Sequence, residues 1–409
     1  MARTLITFIG RGRKTGNGYQ RTNYIFADNR HYTTPYFGLA LLQDLAREAQ
    51  IDHFVVLGTA ASIWDGLLGD ELDDNELWLE LGEKVEAEAV DESMLAAAEP
   101  VVTEKLAQKN LASRVSLRII PFGRDTAEQV AILEKLAMLV EPGDILNIDV
   151  THGFRSLPML GLVSALFLKQ IKQITFEGLY YGAWEMQDEN GYSPAVELSG
   201  LIRIADWLAA ISAFKASGDY GYFAPLLQDD SIAGKLSQAG FLERTLNIGQ
   251  ARKLLKSARK SFSVMTGNDS VFGLFAKQLD EFTSWCEEQS FAKRQLAAAR
   301  NGLRAGDYTR AAALAIEALI TSRIARGNDV HNYDNRQQAR DNLNENCKGQ
   351  VGRNEFVDTY MELRDIRNAL AHGLAPDRNT FNQQETMKSR EKLQERLAFL
   401  LVSLEEWIK

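Results

Sequence analysis

The segment Asp144-Ile-Leu-Asn-Ile-Asp-Val-Thr-His-Gly-Phe-Arg-Ser-Leu-Pro158 decides the class of fold that begins this chain. Its first half is a short apolar run, typical of a strand buried on both faces of a parallel sheet. A loop of small and polar residues follows, and a strongly apolar helix is then predicted to extend to Leu168. A buried strand, a short loop and a buried helix in this order indicate a Rossmann-like α/β fold.

Strand and helix patterns alternate on both sides of this segment, through the first half of the chain. Apolar runs predict strands at residues 5–9, 53–57, 115–120 and 144–150, and a hairpin at residues 174–181 and 195–198. Helices are predicted at residues 34–46 and 126–140, and a short one within the acidic stretch 70–92. The alternation predicts a doubly wound, mainly parallel sheet.

Three loops after the predicted strands carry residues that suit an anion. They are Gly10-Arg-Gly-Arg-Lys-Thr-Gly-Asn-Gly18, Gly58-Thr-Ala-Ala61 and Thr151-His-Gly-Phe-Arg155. Small residues let backbone N–H groups approach a phosphate, and two of the loops add arginine. Ligands of such sheets bind beyond the carboxyl ends of the strands, so the loops together predict a polyanion or nucleotide pocket. Ordinary turn chemistry is the alternative for each loop alone, and none completes a known dinucleotide or P-loop fingerprint.

Strand patterns fade after about residue 200, where the spacing predicts an all-helical half. Helical runs occupy residues 205–214, 237–263, 271–289, 291–305, 309–326, 354–372 and 386–408. A basic stripe of Arg252, Lys256, Arg259 and Lys260 predicts either an RNA-backbone contact or a solvated helix face. Glu317 is interpreted either as a support for a catalytic arginine or as an exposed glutamate.

The run Glu362-Leu-Arg-Asp-Ile-Arg-Asn-Ala-Leu-Ala-His-Gly373 carries the second informative pattern. Arginine stabilises charge on phosphate and histidine moves protons near neutrality, so Arg367 and His372 are suited to RNA cleavage by its own 2′-hydroxyl. On an ideal helix the two side chains lie about 140° apart, so one copy of the helix makes a poor catalytic cleft. Two copies packed across a two-fold axis would bring two arginines and two histidines into one groove. The alternative is a surface arginine and a histidine that stabilises its own helix end. A second pair at this spacing, Arg326 and His331, spans a predicted turn and is interpreted as coincidence.

Composition narrows the class of protein. The 409 residues, 45% of them hydrophobic, predict two domains, 1–200 and 201–409. A formal charge of −9 argues against indiscriminate coating of nucleic acid. Cys286 and Cys347 stand far apart, which favours a reducing cytoplasm and argues against a thiolate metal cluster. The pattern predicts no membrane span, metal site or cofactor.

Two motifs resemble known families. Residues 149–158 resemble the hallmark loop of CRISPR-associated Rossmann-fold (CARF) sensor domains, and Phe8-Ile-Gly-Arg-Gly12, Tyr19, Tyr24 and Gly178-Leu-Tyr-Tyr-Gly182 are similar to the same subgroup. Arg367-Asn368 and His372 on a late helix match the motif of HEPN ribonucleases. The resemblance covers nearly the whole chain in the family's domain order, except the acidic stretch and residues 220–290.

This resemblance implies a type III CRISPR effector: the N-terminal domain binds cyclic tetra- or hexa-adenylate, and the helical HEPN domain then degrades single-stranded RNA. It implies a homodimer or higher oligomer, with catalytic Arg367, Asn368 and His372. The expected ligand residues are Gly10, Arg11, Gly12, Gly58, Thr59, Ala60, Thr151, His152, Gly153, Phe154 and Arg155.

Three questions stay open at this point. His152 is interpreted as touching the ligand or as bonding a backbone carbonyl. The sensor domain could also cleave its own ligand, for which Thr59, Thr151 and His152 are the candidates. A different class, a ligand-binding regulator without nuclease activity, is the main alternative.

Overall fold

A computed structural model describes residues 1–15, 18–68, 76–153, 156–352, 354–373 and 383–408. The chain divides into two compact units, Met1–Ile202 and Arg203–Lys409. The sequence placed the division at residue 200.

The first unit is built on an eight-stranded mixed sheet. Its strands are β1 (Arg3–Ile9), β4 (Thr22–Ile25), β5 (His31–Thr34), β6 (Ile51–Gly58), β7 (Ala112–Ile119), β8 (Ile145–Asp149), β9 (Thr175–Gly182) and β10 (Tyr192–Glu197), while β2 (Lys14–Thr15) and β3 (Gly18–Tyr19) form a separate small hairpin. The order across the sheet is β5-β4-β10-β9-β8-β1-β6-β7. The five strands from β9 to β7 run parallel, whereas β10 pairs antiparallel with β9.

Helices cover both faces of this sheet. They are α1 (Phe37–Leu45), α2 (Glu76–Glu86), α3 (Glu92–Gln108), α4 (Thr126–Leu139) and α5 (Leu157–Lys172). Along β1, Leu5 and Ile9 pack into the core with α1 and α3, and Ile6 and Phe8 pack into the core with α4 and α5. Both faces of the strand are buried, which explains its continuous apolar run. The predicted α/β fold with a mainly parallel sheet is confirmed.

The second unit consists of helices and turns in its described residues. The helices are α6 (Ser199–Ser217), α7 (Asp230–Arg244), α8 (Ile248–Asn268), α9 (Ser270–Thr283), α10 (Phe291–Arg304), α11 (Tyr308–Ser322), α12 (Tyr333–Cys347), α13 (Glu355–His372), α14 (Gln383–Met387) and α15 (Arg390–Ser403). Their apolar faces bury one continuous core that includes Leu296, Leu319 and Leu363. The predicted helical second half is therefore also confirmed.

Several predicted boundaries are wrong. The single helix predicted at residues 237–263 is two helices, because Leu246 adopts a left-handed conformation (φ 63°) between α7 and α8. The run 386–408 is also divided, since the Ser389 side chain accepts from the Lys392 N–H and starts α15. The sequence did not predict β4, β5, α3 or α12.

Candidate functional site

The three glycine- and threonine-containing loops meet at one edge of the sheet. The strands β6, β1 and β8 are parallel neighbours, so the loops that follow them emerge side by side. A cleft of about 350 Å³ lies among them, lined by Ile9, Gly10, Arg11, Leu57, Gly58, Thr59, Ser62, Ile120, Thr151, His152 and Gly153. The structure therefore brings together residues from all three predicted loops.

A second cleft adjoins the first and shares Gly10, Arg11, Thr151 and His152 with it. Its volume is about 320 Å³, and its further lining residues are Gly12, Arg13, Gln20, Thr22, Tyr24, Pro35, Ile63, Tyr181, Gly182, Trp184 and Glu185. Sequence reasoning missed Gln20 and Trp184 as site residues. Trp184 is 57% exposed, and an exposed tryptophan beside a cleft marks a candidate ligand contact. Its exposure could be seen only in the structure.

Close backbone contact explains the glycine in the first loop. A Cβ atom at Gly10 would lie only 2.8 Å from the nitrogen of Gly153, so the loops after β1 and β8 touch each other. Gly153 itself has a φ of 111°, in the region that favours glycine. The approach of the two loops therefore depends on both glycines.

A buried carboxylate holds the loop after β8. The backbone N–H of Thr151 donates to Asp149 Oδ1 at 2.8 Å, and the Thr7 hydroxyl donates to Asp149 Oδ2 while accepting from the Tyr36 hydroxyl. The Gly182 N–H donates to Thr151 Oγ1 at 2.7 Å. Burial raises the pKa of Asp149 to about 6. Thr151 is thus fixed from both β8 and β9.

His152 bonds a backbone amide rather than a carbonyl. Its Nε2 accepts from the Phe37 N–H at 3.0 Å, at the first residue of α1, and its ring lies 5.8 Å from that of Tyr36. Burial lowers the pKa of His152 to about 4, so the ring is neutral at physiological pH. The expected hydrogen bond to a backbone carbonyl is therefore wrong, because the ring accepts from a backbone N–H. His152 also lines both clefts.

The loop after β6 is held by Ser62, which the sequence did not single out. The Thr59 N–H donates to Ser62 Oγ at 3.0 Å, Ser62 Oγ donates to the Ile9 carbonyl, and the Trp64 indole donates to the Thr59 carbonyl. Both backbone groups of Thr59 are therefore used within the protein. Ala60 follows in the turn and is half-buried. The expected contribution of the Thr59 amide to an anion cradle does not agree with these bonds.

The arginines of the first unit are placed differently from one another. Arg11 is exposed at the rim of both clefts, where its Nη2 lies 2.8 Å from Glu88 Oε2. Gly12 is tightly enclosed, because a Cβ there would lie 2.7 Å from both Ile63 and Tyr19. Phe154 and Arg155, the last two expected ligand residues, lie outside the described residues.

The residues predicted to form a nuclease motif lie at the end of α13. Asn354 caps this helix at its start and Gly373, with a φ of 69°, ends it. Arg367 is half-buried and its Nε is buried without a hydrogen-bond partner, while His372 is exposed. Asn368 is half-buried. Because Arg367 and His372 project about 140° apart, one copy of α13 does not direct them to one point.

Glu317 on α11 has neither of its expected roles. It forms an ion pair with Arg336 and, at 2.9 Å, with Arg340, both on α12. Glu317 is therefore partly buried, and its described ion pairs are with arginines of α12.

The basic stripe on α8 is largely occupied within its own unit. Arg252 Nε donates to the Cys286 carbonyl, Lys256 pairs with Glu287 at 3.2 Å, and Arg259 pairs with Asp280 at 2.8 Å. These bonds favour the structural interpretation of the stripe over an RNA track.

The described residues offer neither a metal-ligand cluster nor a membrane-spanning helix. No group of three or more His, Cys, Asp or Glu side chains in the described ranges could hold a metal ion. Within those same ranges, no helix has the length and apolarity needed to cross a membrane. The second Arg-His pair also lies outside any helix, and the His331 ring packs 4.5 Å from that of Phe291.

The fold and the loop-lined clefts define a Rossmann-like α/β domain with a candidate ligand site at one edge of its sheet. Residues 4–184 match the family model described as "CRISPR system endoribonuclease Csx1, CARF domain". Over 400 residues the chain is 25% identical to CRISPR-associated protein MJ1674 of Methanocaldococcus jannaschii, an alignment that covers 91% of this chain and 62% of that relative. The chain thus spans less than two thirds of the length of this relative. Residues 4–184, most of the first unit, thus match a CARF domain, and the chain is similar over most of its length to a CRISPR-associated protein.

Proposed function

We propose that this protein is an endoribonuclease of type III CRISPR defence, activated by cyclic oligoadenylate and active on single-stranded RNA. The observation that carries the proposal is the convergence of three phosphate-suited loops in a CARF domain, followed in the same chain by Arg367, Asn368 and His372 at the end of α13. The first unit is the sensor and the second is the nuclease.

The messenger would occupy the two adjoining clefts. Gly10, Gly58 and Gly153 keep the loops free of side chains, and Arg11 stands at the rim to pair with a phosphate. A ring with an even number of adenylates has two-fold symmetry, which matches a pocket made by two copies of the domain. The ligand would therefore contact both subunits of a homodimer.

The nuclease step is transesterification at the scissile phosphate. His372 takes the proton from the 2′-hydroxyl, the 2′-oxygen attacks phosphorus, and the bond to the 5′-oxygen breaks as that oxygen receives a proton from the His372 imidazolium. Arg367 stabilises the charge on the phosphorane and Asn368 orients the phosphate. The products are a 2′,3′-cyclic phosphate and a 5′-hydroxyl. Every part of this step is supplied by the RNA and these side chains, so no metal is needed.

Two copies of α13 would complete the nuclease site. Arg367 and His372 point to different sides of their own helix, so a groove between two helices brings the arginine of one near the histidine of the other. This arrangement also gives the sensor a way to act, since a ligand that grips both CARF domains can change the spacing of the helices.

Degradation of labelled single-stranded RNA in EDTA, with and without cyclic oligoadenylate, tests this function. Ligand-dependent cleavage with cyclic phosphate ends supports it. Tight ligand binding without any RNA cleavage would favour the regulator that lacks nuclease activity. Two of the three candidates for cleaving the ring itself have structural contacts, since His152 Nε2 accepts from the Phe37 N–H and Thr151 Oγ1 accepts from the Gly182 N–H.

A further inference from the structure

Arginines gather where α12 meets α13, beside the nuclease motif. Tyr360, Arg364 and Arg367 are spaced by four and three residues, so they share one face of α13. The Tyr360 hydroxyl donates to Asn344 Oδ1 at 2.8 Å, and Arg364 Nη1 donates to the same oxygen at 3.4 Å. The part of α12 around Asn344 therefore meets the face of α13 that carries Tyr360, Arg364 and Arg367.

The facing side of α12 is also basic. Arg336, Arg340 and Asn344 recur every four residues, so they too share a face. Arg336 has a structural role, because its guanidinium contacts both Glu317 and Thr321. Arg340 also pairs with Glu317, and its side chain is 39% exposed.

These charges converge on one place. Burial raises the pKa of Tyr360, and the positive charges of Arg364, Arg340 and Arg367 oppose that shift, so all three act on the same hydroxyl. Among the described residues, the carboxylates that contact Arg336, Arg340, Arg364 and Arg367 are Glu317 and Asp365. The local excess of positive charge contrasts with the formal net charge of −9 for the chain.

We propose that Arg340 and Arg364 bind phosphates of the RNA strand that flank the scissile phosphate at Arg367. This assignment rests on the proposed ribonuclease function and names the residues that hold its substrate. The Arg364 contacts are long, 3.3 Å to Asp365 and 3.4 Å to Asn344, so a phosphate can replace them. A guanidinium matches a phosphate with two parallel hydrogen bonds. Contacts of this kind carry no sequence information, so they suit a nuclease with little base preference.

The test is RNA binding by full-length protein that carries His372→Ala, so that the RNA is not cut. A fluorescent single-stranded RNA is titrated in EDTA with saturating cyclic oligoadenylate at several KCl concentrations. We expect Arg340→Ala and Arg364→Ala each to weaken binding about tenfold and to reduce the slope of log K against log salt by about 0.7. Lysine at either position should keep most of the slope while losing part of the affinity.

Arg300→Ala is the matched control. Its side chain is 31% exposed, against 28% for Arg364, and it pairs with a single carboxylate, Glu405, on a different part of the unit. Affinity and slope should stay at the parent values. After the two test substitutions, Glu317 keeps its bond to Arg336 and Asn344 keeps its bond to Tyr360. The lysine variants provide a second reading if an alanine variant fails to fold.

Equal salt slopes in the parent and in the Arg340 and Arg364 variants would overturn the inference. A parent that binds no RNA would overturn it as well. Failure of the proposed function looks different: the protein with His372 intact would bind RNA with these slopes but release no cleaved product.

Discussion

His152 and His372 stand in two regions that use histidine in opposite ways. In the loop after β8, the His152 ring accepts a backbone hydrogen bond from Phe37, and burial lowers its pKa to about 4. At the end of α13, His372 is exposed next to the glycine that ends the helix. A buried, neutral ring that accepts a backbone hydrogen bond contributes geometry, whereas an exposed ring at a helix end is accessible to a substrate. The same residue type therefore predicts different roles in the two units.

The largest expected effect is the loss of RNA cleavage on His372→Ala. General acid–base catalysis by a positioned histidine contributes about 10²–10⁴-fold, so we expect a loss of that size in kcat at saturating messenger. Folding and messenger binding should be unchanged, because His372 is exposed. Substantial residual cleavage would contradict the proton-transfer role.

His331→Ala is the matched control for this change. His331 stands five residues after Arg326, as His372 stands after Arg367, but in a loop where its ring contacts Phe291. Its removal should change the cleavage rate by less than about threefold, since it touches no proposed catalytic group. A loss as large as that of His372→Ala would mean that the spacing alone had misidentified the site.

Mixed subunits sharpen the comparison, because α13 directs Arg367 and His372 to different sides. Arg367→Ala and His372→Ala proteins are each expected to be inactive alone. Random exchange of subunits makes about half of the dimers hybrid, and each hybrid holds one intact arginine and one intact histidine from opposite chains. Recovery of cleavage on mixing supports a groove shared by two subunits. No recovery, with exchange shown by differently tagged chains, would place both groups in one subunit.

The parts of the fold that the sequence predicted are those whose burial leaves a pattern. The strands β1, β6 and β8 are covered on both faces and appear as apolar runs. The helix α12 buries only Ala339, Leu343 and Cys347, so it lacks an apolar stripe and was missed. The break between α7 and α8 depends on a leucine with positive φ, a conformation that its residue type does not suggest.

The candidate site divides in the same way. Glycines and small residues at the ends of parallel strands predicted where the loops would converge. The bonds that hold those loops could not be predicted, since His152 pairs with Phe37, 115 positions away, and Ser62 with Ile9, 53 positions away. Such partners depend on tertiary packing and leave no local signal in the sequence.

The third prediction tests the structural role of His152. His152→Ala removes the acceptor for the Phe37 N–H, and an unsatisfied amide at a helix start costs about 1–2 kcal/mol. Hydrogen exchange of the α1 peptide should therefore become about tenfold faster. His31→Ala is the control, because His31 is exposed and its ring contacts Tyr192 rather than α1. Unchanged protection of α1 in His152→Ala would show that the amide bond contributes nothing.

The smallest expected effect is the dependence of that protection on pH. The folded pKa of His152 is about 4, below the ordinary value of about 6.5, so between these values the open state binds a proton that the native state does not. Stability from the His152–Phe37 bond is therefore present near pH 7 and is lost as the pH falls toward 4. Asp149 acts in the opposite direction, because its raised pKa of about 6 makes the native form bind the extra proton.

A comparison of the wild type with His152→Gln separates the contribution of His152 to the pH dependence from that of Asp149. Glutamine can accept the Phe37 bond but does not titrate, and Asp149 is present in both proteins, so its contribution cancels in their ratio. The same cancellation removes the intrinsic pH dependence of amide exchange. We expect the ratio of wild-type to variant protection in α1 to be greatest near pH 7 and to fall steadily toward pH 4. A ratio that stays constant over this range would mean that His152 does not remain neutral in the folded protein, and the contrast with His372 would then fail.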